Sequence, residues 1–300
     1  MRPGGLGRPT GNVARVSPSS LSLLDEGCVL CPLCGSPVSR PDGPGSGPLV
    51  CRESHRFDAA RQGYVNLLVG AGTPFTPDTS AMILARERFQ SAGHYAPLAR
   101  RLTEFLSSRT VVDVGCGTGY YSAGSEYSEL VAIDLSPAAA RRAARLPRTL
   151  ALVWDAWRPL PLADASVEAV LNVFAPHNMD EFARVLKPGG SIVVVTSGKG
   201  HLRELADAGL TLGQAAGKRE ALDAKAARAG FELAHRETLQ LSLSLSPDDV
   251  ADLAFMGPAG HHMTLEEARG RAHASQPERG QVTAVFDLAV FGSPAPAATR

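Results

Sequence analysis

Three things are scarce or missing in this chain of 300 residues, and each absence bears on function. There is no surplus of charge: 30 lysines and arginines are matched by 30 aspartates and glutamates. That balance argues against a grip on nucleic acid by the whole surface and leaves room only for a local basic patch. No apolar run approaches the length of a membrane span. Arg2, Arg8 and Arg15 near the start are followed by no apolar core, so this stretch is not a secretory signal. A cytoplasmic protein is expected, with its five cysteines reduced and no disulfide framework. What is present is ordinary for a soluble protein: 44% hydrophobic and 20% charged residues, enough apolar material for one large domain or two small ones.

The most informative stretch is Val111-Val112-Asp113-Val114-Gly115-Cys116-Gly117-Thr118-Gly119-Tyr120. It reads as a short apolar strand, a glycine-rich turn and then a helix. Glycines at 115, 117 and 119 remove three Cβ atoms, so the backbone can turn sharply and come close to a ligand. A second apolar strand, 130–134, ends on Asp134. An acid there is placed to accept hydrogen bonds from both hydroxyls of a ribose. The pattern Asp-x-Gly-x-Gly-x-Gly resembles the first motif of the Rossmann-like methyltransferases that use S-adenosylmethionine. The competing dinucleotide fingerprint, Gly-x-Gly-x-x-Gly, needs a glycine at 120, where Tyr120 stands.

Upstream lie Cys31-Pro32-Leu33-Cys34 and Cys51-Arg52-Glu53-Ser54-His55. Two short-spaced pairs separated by a glycine- and proline-rich loop give the spacing of a Cys₃His zinc site. Four filled corners make the site structural, with no position open for water. Cys28-x-x-Cys31 is a second pair at the same spacing; Pro32 and Gly35, which shape the turn, favour Cys31 and Cys34.

The rest of the chain supplies the alternation of a parallel α/β sheet. Helices are expected over 80–92, with Ser80 as N-cap, and over 97–106, 137–145, 179–186, 214–229 and 247–256. Strands are expected over 149–154, 167–173, 191–196, 237–245 and 281–291. Asp155 follows the third strand; in this fold such an acid commonly lies near the adenine ring. Arg141, Arg142, Arg145 and Arg148 form the densest positive cluster, most simply a solvated helix face. The last two strands complete a seven-stranded sheet, the final one antiparallel. The expected fold is therefore α/β: a Rossmann-like, seven-stranded class I methyltransferase core carrying a small N-terminal Cys₃His zinc-binding module. Residues 1–27 read as a disordered extension, 28–68 as the zinc module and 69–300 as the methyltransferase domain.

Taken together, these motifs resemble the bacterial 23S ribosomal RNA guanine-N1 methyltransferases. The resemblance rests on both Cys/His pairs, Gly63 to Leu68, Gly93-His94-Tyr95, Asp113 to Tyr121, Phe174-Ala175-Pro176, Lys187-Pro188-Gly189-Gly190 and His201 to Leu205. It covers roughly residues 28–206 and is far more specific than any one motif. It implies S-adenosylmethionine and Zn²⁺ as cofactors, a 23S rRNA hairpin loop as partner, a zinc module that reads RNA, and a homodimer whose halves form an RNA cleft. It also implies Tyr95, Gly119, Tyr120 and His201 as cofactor contacts, beside Asp113, Gly115, Gly117, Asp134 and Asp155. The composition, rich in Ala, Arg, Gly and Pro, favours the branch similar to the macrolide (tylosin) resistance methyltransferases, which modifies guanine 748; guanine 745 of the same loop is the alternative.

Guanine N1 carries a proton, so a general base is expected. No residue is assigned that role here. His177 is the nearest titratable group to the fourth strand, and Asn172 offers an amide oxygen to hold the ring. Two rivals remain at this point: a methyltransferase of small molecules, which has little use for a zinc knuckle, and a non-enzymatic RNA-binding protein, which has no reason to keep the glycines.

Overall fold

Apolar residues alternate along the central strands, and the alternation sorts them to two faces. In a computed structural model of the chain, Val111, Leu130, Ala132, Val193 and Val195 lie in one apolar cluster. Their neighbours Val112, Val131, Ile133, Ile192 and Val194 lie in another. A strand with a period of two that is apolar on both sides needs cover on both sides. The structure describes residues 21–43, 45, 47–70, 72–107, 109–211, 217–275 and 278–293.

In chain order, a helical turn α1 (Ser22–Asp25) precedes four short strands: β1 (Val38–Ser39), β2 (Leu49–Cys51), β3 (Arg56–Phe57) and β4 (Val65–Asn66). Two helices follow, α2 (Ser80–Ser91) and α3 (Ala96–Leu106). Then come β5 (Thr110–Val114), β6 (Glu129–Asp134), α4 (Pro137–Ala143), β7 (Thr149–Val153), β8 (Val167–Val173), α5 (Met179–Val185) and β9 (Leu186–Ser197). The chain continues through α6 (Arg203–Asp207), α7 (Lys218–Arg228), β10 (Glu232–Leu245), α8 (Pro247–Phe255), a 3₁₀ turn (Pro258–His261), α9 (Leu265–Ser275) and β11 (Gly280–Gly292).

Strands β5 to β11 form the seven-stranded methyltransferase sheet, and β4 adds an eighth strand at its edge, in the order β10-β11-β9-β8-β5-β6-β7-β4. β11 runs antiparallel to both neighbours, while β4, β7, β6, β5, β8 and β9 are mutually parallel. The chain leaves β5 toward β6 and β7 and later returns to β8 on the other side. The crevice between the carboxyl ends of β5 and β8 is thus the topological switch point, where open α/β sheets bind ligands.

One face is covered by α2, α3, α8 and α9, through Met82, Phe89, Leu98, Leu102, Leu253 and Ala268. The other is covered by α5 and α7 and by the N-terminal module, whose Val29, Val38, Leu49, Phe57 and Leu67 share one cluster with Ile133 and Leu152. β1, β2 and β3 form a small antiparallel sheet of their own, and β4 hydrogen-bonds in parallel to β7.

Several sequence expectations change. No helix follows the glycine loop. Gly119 at φ +78° and the inward-turned Ser122 leave a run of turns instead, with Ser122 and Ala123 N–H both donating to the Gly119 carbonyl. The N-cap of α2 is Thr79, whose hydroxyl accepts the Met82 N–H at 3.2 Å. β10 begins at Glu232 rather than 237, paired along its length with β11. Of the extension expected over 1–27, residues 1–20 lie outside the described residues, and residues 21–27 are packed: Leu23 and Leu24 are buried, and the Ser22 and Leu23 N–H groups donate to Glu129 at 2.5 and 3.0 Å. The helix expected over 214–229 is observed as α7, residues 212–216 lying outside the described set.

Because the module and the sheet share one apolar cluster, damage to the module should be felt globally. Leu49→Ala, at a fully buried position in β2, is expected to destabilise the whole chain by about 2–5 kcal/mol. Urea unfolding followed by far-ultraviolet circular dichroism reports the main sheet; an unmoved midpoint would mean that the two parts unfold independently.

Candidate active site and metal centre

Short loops bring the four zinc-type ligands together. Cys31 and Cys34 flank the turn closed by the Gly35 N–H to the Cys31 carbonyl, and Cys51 and His55 flank the turn between β2 and β3. Their ligand atoms all lie within 4.8 Å of one another. His55 Nδ1 is 3.5 Å from Cys31 Sγ and 3.4 Å from Cys51 Sγ, and Cys34 Sγ is 3.7 Å from Cys51 Sγ. A tetrahedron with zinc–sulfur bonds of about 2.3 Å has edges of about 3.8 Å, so the donor set fits a zinc ion. Cys34 is exposed, and the Ser36 hydroxyl 3.4 Å away pulls its thiol down to about 6, which favours the thiolate a metal requires. Cys28 lies outside this cluster, so the alternative pair is set aside.

At the switch point the glycine loop leaves β5. A Cβ on Gly115 would fall 2.4 Å from the Ala175 Cβ, so the end of β8 packs directly on the loop and only glycine fits there. The Gly117 N–H donates to Asp134 Oδ2 at 2.8 Å, and the Ser136 N–H donates to Asp134 Oδ1 at 2.8 Å. The carboxylate at the end of β6 is thus held in one orientation, each oxygen keeping a lone pair for a further donor. This is a cradle a nucleoside fits: a backbone stripped of Cβ atoms beside a fixed acid.

Asp113 sits beneath the loop, buried, accepting the Ser122 hydroxyl at 2.5 Å; burial pushes its carboxyl up to about 7. Asp155, also buried, accepts the Thr73 hydroxyl at 2.7 Å and the Trp157 N–H at 2.9 Å. Its two oxygens tie the loop after β4 to the loop after β7.

Tyr95, Tyr120 and His201, distant in sequence, belong to one chain of ring contacts at the carboxyl end of the sheet. Tyr120 meets Tyr121 at 5.2 Å between centroids, Tyr121 meets Phe174 at 6.5 Å, and Phe174 meets His201 at 6.1 Å and Phe286 at 5.9 Å. Phe286 lies edge-on to Tyr95 at 4.9 Å, and Tyr95 edge-on to Phe89 at 5.0 Å. Tyr95 is buried in this core, which pushes its hydroxyl well above the usual tyrosine range. His201 Nδ1 lies 2.7 Å from the Val285 carbonyl and 3.1 Å from the Val285 N–H, and burial lowers the imidazole to about 4. Phe174 is exposed and holds φ +53°, a left-handed backbone that is costly for an aromatic residue. Phe286 was not read from sequence as a site residue, because only the insertion of β11 into the sheet brings it there; Tyr121 was quoted only as the end of the glycine-loop motif.

Asn172, whose amide oxygen was offered from sequence as a hold for the target base, is bonded within the protein. Its side chain is fully buried, Nδ2 donating to the Val114 and Pro176 carbonyls at 3.1 and 3.0 Å and Oδ1 accepting from His177 Nδ1 at 2.6 Å. Both amide hydrogens are committed and the oxygen, bonded to His177, is closed off by burial, so the residue ties the ends of β5 and β8 together. The same bonds fix His177 as the Nδ1–H tautomer with its lone pair on Nε2. Burial first, then the charges of Lys225 and Lys218, lower His177 to about 4, so it is neutral at physiological pH.

Comparison with known proteins places these parts in context. A family model described as "Methyltransferase domain" matches residues 112–194, and a zinc-ribbon model described as "RlmA, N-terminal" matches residues 29–69. The chain is 40% identical over 253 residues to the 23S rRNA (guanine(748)-N(1))-methyltransferase of Streptomyces fradiae, covering 80% of this chain and 88% of that one. It is 39% identical over 285 residues to a Micromonospora griseorubida protein provisionally named 23S rRNA (guanine-N(1)-)-methyltransferase, covering 87% of this chain and 96% of that one.

The raised Asp113 carboxyl makes a pH prediction. Between the unfolded value near 3.8 and the folded value of about 7, the folded state keeps a proton that the unfolded state gives up, so this group's contribution to stability is lost as pH rises through that window. Asp113→Asn removes the titration and keeps a partner for Ser122. Relative to the parent, the variant should gain about 1–3 kcal/mol of stability between pH 5 and pH 8. Urea titrations at the two pH values measure the difference, and an equal offset at both would place the burden elsewhere than on Asp113.

Proposed function

The chain belongs to the 23S rRNA (guanine-N1)-methyltransferase family, and from that premise we propose that it methylates N1 of guanine 748 in a hairpin loop of 23S rRNA. The observation that carries the reading is the match to the guanine-748 enzyme over 88% of that enzyme's length. The zinc module and the nucleoside cradle within one folded unit support an RNA substrate over a small molecule. The resemblance to the macrolide (tylosin) resistance branch supports a resistance role, work in the cytoplasm and assembly as a homodimer.

S-adenosylmethionine supplies an electrophilic methyl group on a sulfonium centre. Asp134 accepts from its ribose hydroxyls, and Gly115, Gly117 and Gly119 let the backbone lie against it. Asp155 stands at the adenine end, and Tyr95, Tyr120 and His201 contribute to the aromatic wall on the methionine side. Cys31, Cys34, Cys51 and His55 hold the zinc ion.

The two histidines near the strand ends decide how the N1 proton is handled. Guanine N1–H is a far weaker acid than an imidazolium of pKa about 4. Each pH unit of mismatch costs about 1.4 kcal/mol, so prior transfer to His177 or His201 is steeply uphill. The proton therefore stays on N1 until the new N–C bond makes it acidic, and it then passes to solvent water. Rate is then gained mainly by orientation of an unstacked guanine against the methyl group.

Reverse transcription of 23S rRNA from cells with and without the gene tests the target, because a methyl on N1 blocks the pairing edge. A gene-dependent stop at guanine 748 is expected. A stop at guanine 745 moves the target within the loop. No stop, with methylation of a drug in an RNA-free reaction, replaces the substrate.

Asp134→Ala should weaken S-adenosylmethionine binding about 10- to 100-fold, the loss of one or two hydrogen bonds to a carboxylate, with zinc content unchanged. Equilibrium titration reads the first and metal analysis the second; unaltered affinity would remove Asp134 from the site.

A further inference from the structure

α2 presents Arg86 and Gln90, one turn apart on the same face, to the glycine loop. Gln90 Oε1 accepts the Thr118 hydroxyl at 2.7 Å. Arg86 lies over Gly117: a Cβ there would stand 3.3 Å from Arg86 Nη1 and 3.6 Å from its Cδ. Gly117 holds φ +54°, so both its backbone and its missing side chain keep this approach open.

The guanidinium is only partly used. Nη2 donates to Asp78 Oδ2 at 2.6 Å and to the Met256 carbonyl at 2.7 Å. Nη1 and Nε hold no hydrogen bond among the described residues. Asp78 is shared, its other oxygen lying 3.2 Å from His261 Nε2. Arg86 therefore brings a fixed positive charge and three spare N–H donors to the rim of the loop, with its side chain 22% exposed.

A ligand with its ribose at Asp134 and its adenine toward Asp155 must run its third group back along the glycine loop. In S-adenosylmethionine that group ends in an α-amino acid. We propose that Arg86 is the receptor for the ligand's carboxylate, donating to it from Nη1, the nitrogen that faces Gly117, while Nη2 stays tied to Asp78 and Met256. The guanidinium is always charged, and its bonds to Asp78 and Met256 hold Nη1 in place, which suits it to a carboxylate. The inference rests on the S-adenosylmethionine reading of the site and adds the residue that selects for the amino-acid end.

Two ligands that differ only at that end test it. S-adenosylhomocysteine carries the carboxylate, and 5′-methylthioadenosine has the same nucleoside without it. In zinc-loaded full-length protein, Arg86→Gln should weaken S-adenosylhomocysteine at least 10-fold by calorimetric titration and leave 5′-methylthioadenosine within twofold of the parent. Equal weakening of both ligands, or of neither, overturns the assignment, since a merely structural arginine does not sense which ligand is bound. Failure of the parent to bind either ligand would instead overturn the cofactor reading on which it rests. Should Arg86→Gln not fold, Arg86→Lys takes its place, with a several-fold loss confined to S-adenosylhomocysteine expected and parental affinity for both ligands contradicting the proposal.

Discussion

A parallel sheet buried on both faces has to be covered on both faces, and here one cover is supplied by the zinc module. Val29, Leu49, Phe57 and Leu67 lie in the same apolar cluster as Ile133 and Leu152 of the central strands. The module also begins with backbone bonds to the loop after β7: Leu30 N–H to the Pro161 carbonyl and Ala163 N–H to the Cys28 carbonyl. So few residues cannot build a core alone, and a metal is the usual supplement. The arrangement sets the four zinc-type ligands within the unit that covers one face of the sheet.

The same sheet sets the electrostatics at its carboxyl end. Asp113 and Asp134 end adjacent strands beneath one loop, and burial raises both carboxyls above the ordinary carboxylate range. The loop offsets this by giving hydrogen bonds: Ser122 hydroxyl to Asp113, Gly117 and Ser136 N–H to Asp134. Arg86 adds a positive charge from α2, which holds Asp134 lower than burial alone would. On the far side burial lowers His177 and His201 and keeps both neutral, with Lys225 adding to the effect at His177 and Lys218 at both. The crevice thus offers fixed acceptors and rings in place of a strong base, suiting a reaction whose electrophile arrives already charged.

The zinc ligands and the glycine loop were legible because chemistry demands particular residue types at short spacing. A tetrahedral metal is served by two thiolates with two residues between them, and a loop against which the Ala175 methyl packs needs glycine. Strand pattern was legible for the same reason: Val282, Ala284, Phe286 and Leu288 face one cluster as alternation requires. What could not be read depends on distant segments meeting. Phe286 reaches Phe174 and His201 only because β11 inserts between β9 and β10. The order of residues 21–27 depends on Glu129, more than a hundred positions away. The helix expected after the glycine loop is lost to a tertiary competitor, the Ser122 hydroxyl bonded to Asp113.

Asn172 shows most clearly how position alone misleads. An asparagine at the carboxyl end of β8 reads as a hand for the substrate, yet its amide is satisfied within the protein by two carbonyls and an imidazole. Releasing it to a substrate would strand the Val114 and Pro176 carbonyls, and unpaired buried acceptors are expensive. Held in this way, it joins β5 to β8 across the switch point and sets the turn that follows. In that turn Ala175 packs on Gly115, and Phe174, with its N–H on the Val195 carbonyl, takes the left-handed backbone that exposes its ring. The strain at Phe174 is sustained because the bonds on either side over-determine it. The strand end therefore meets its surroundings with an aromatic face, while the polar residue beside it is spent on holding that face in place.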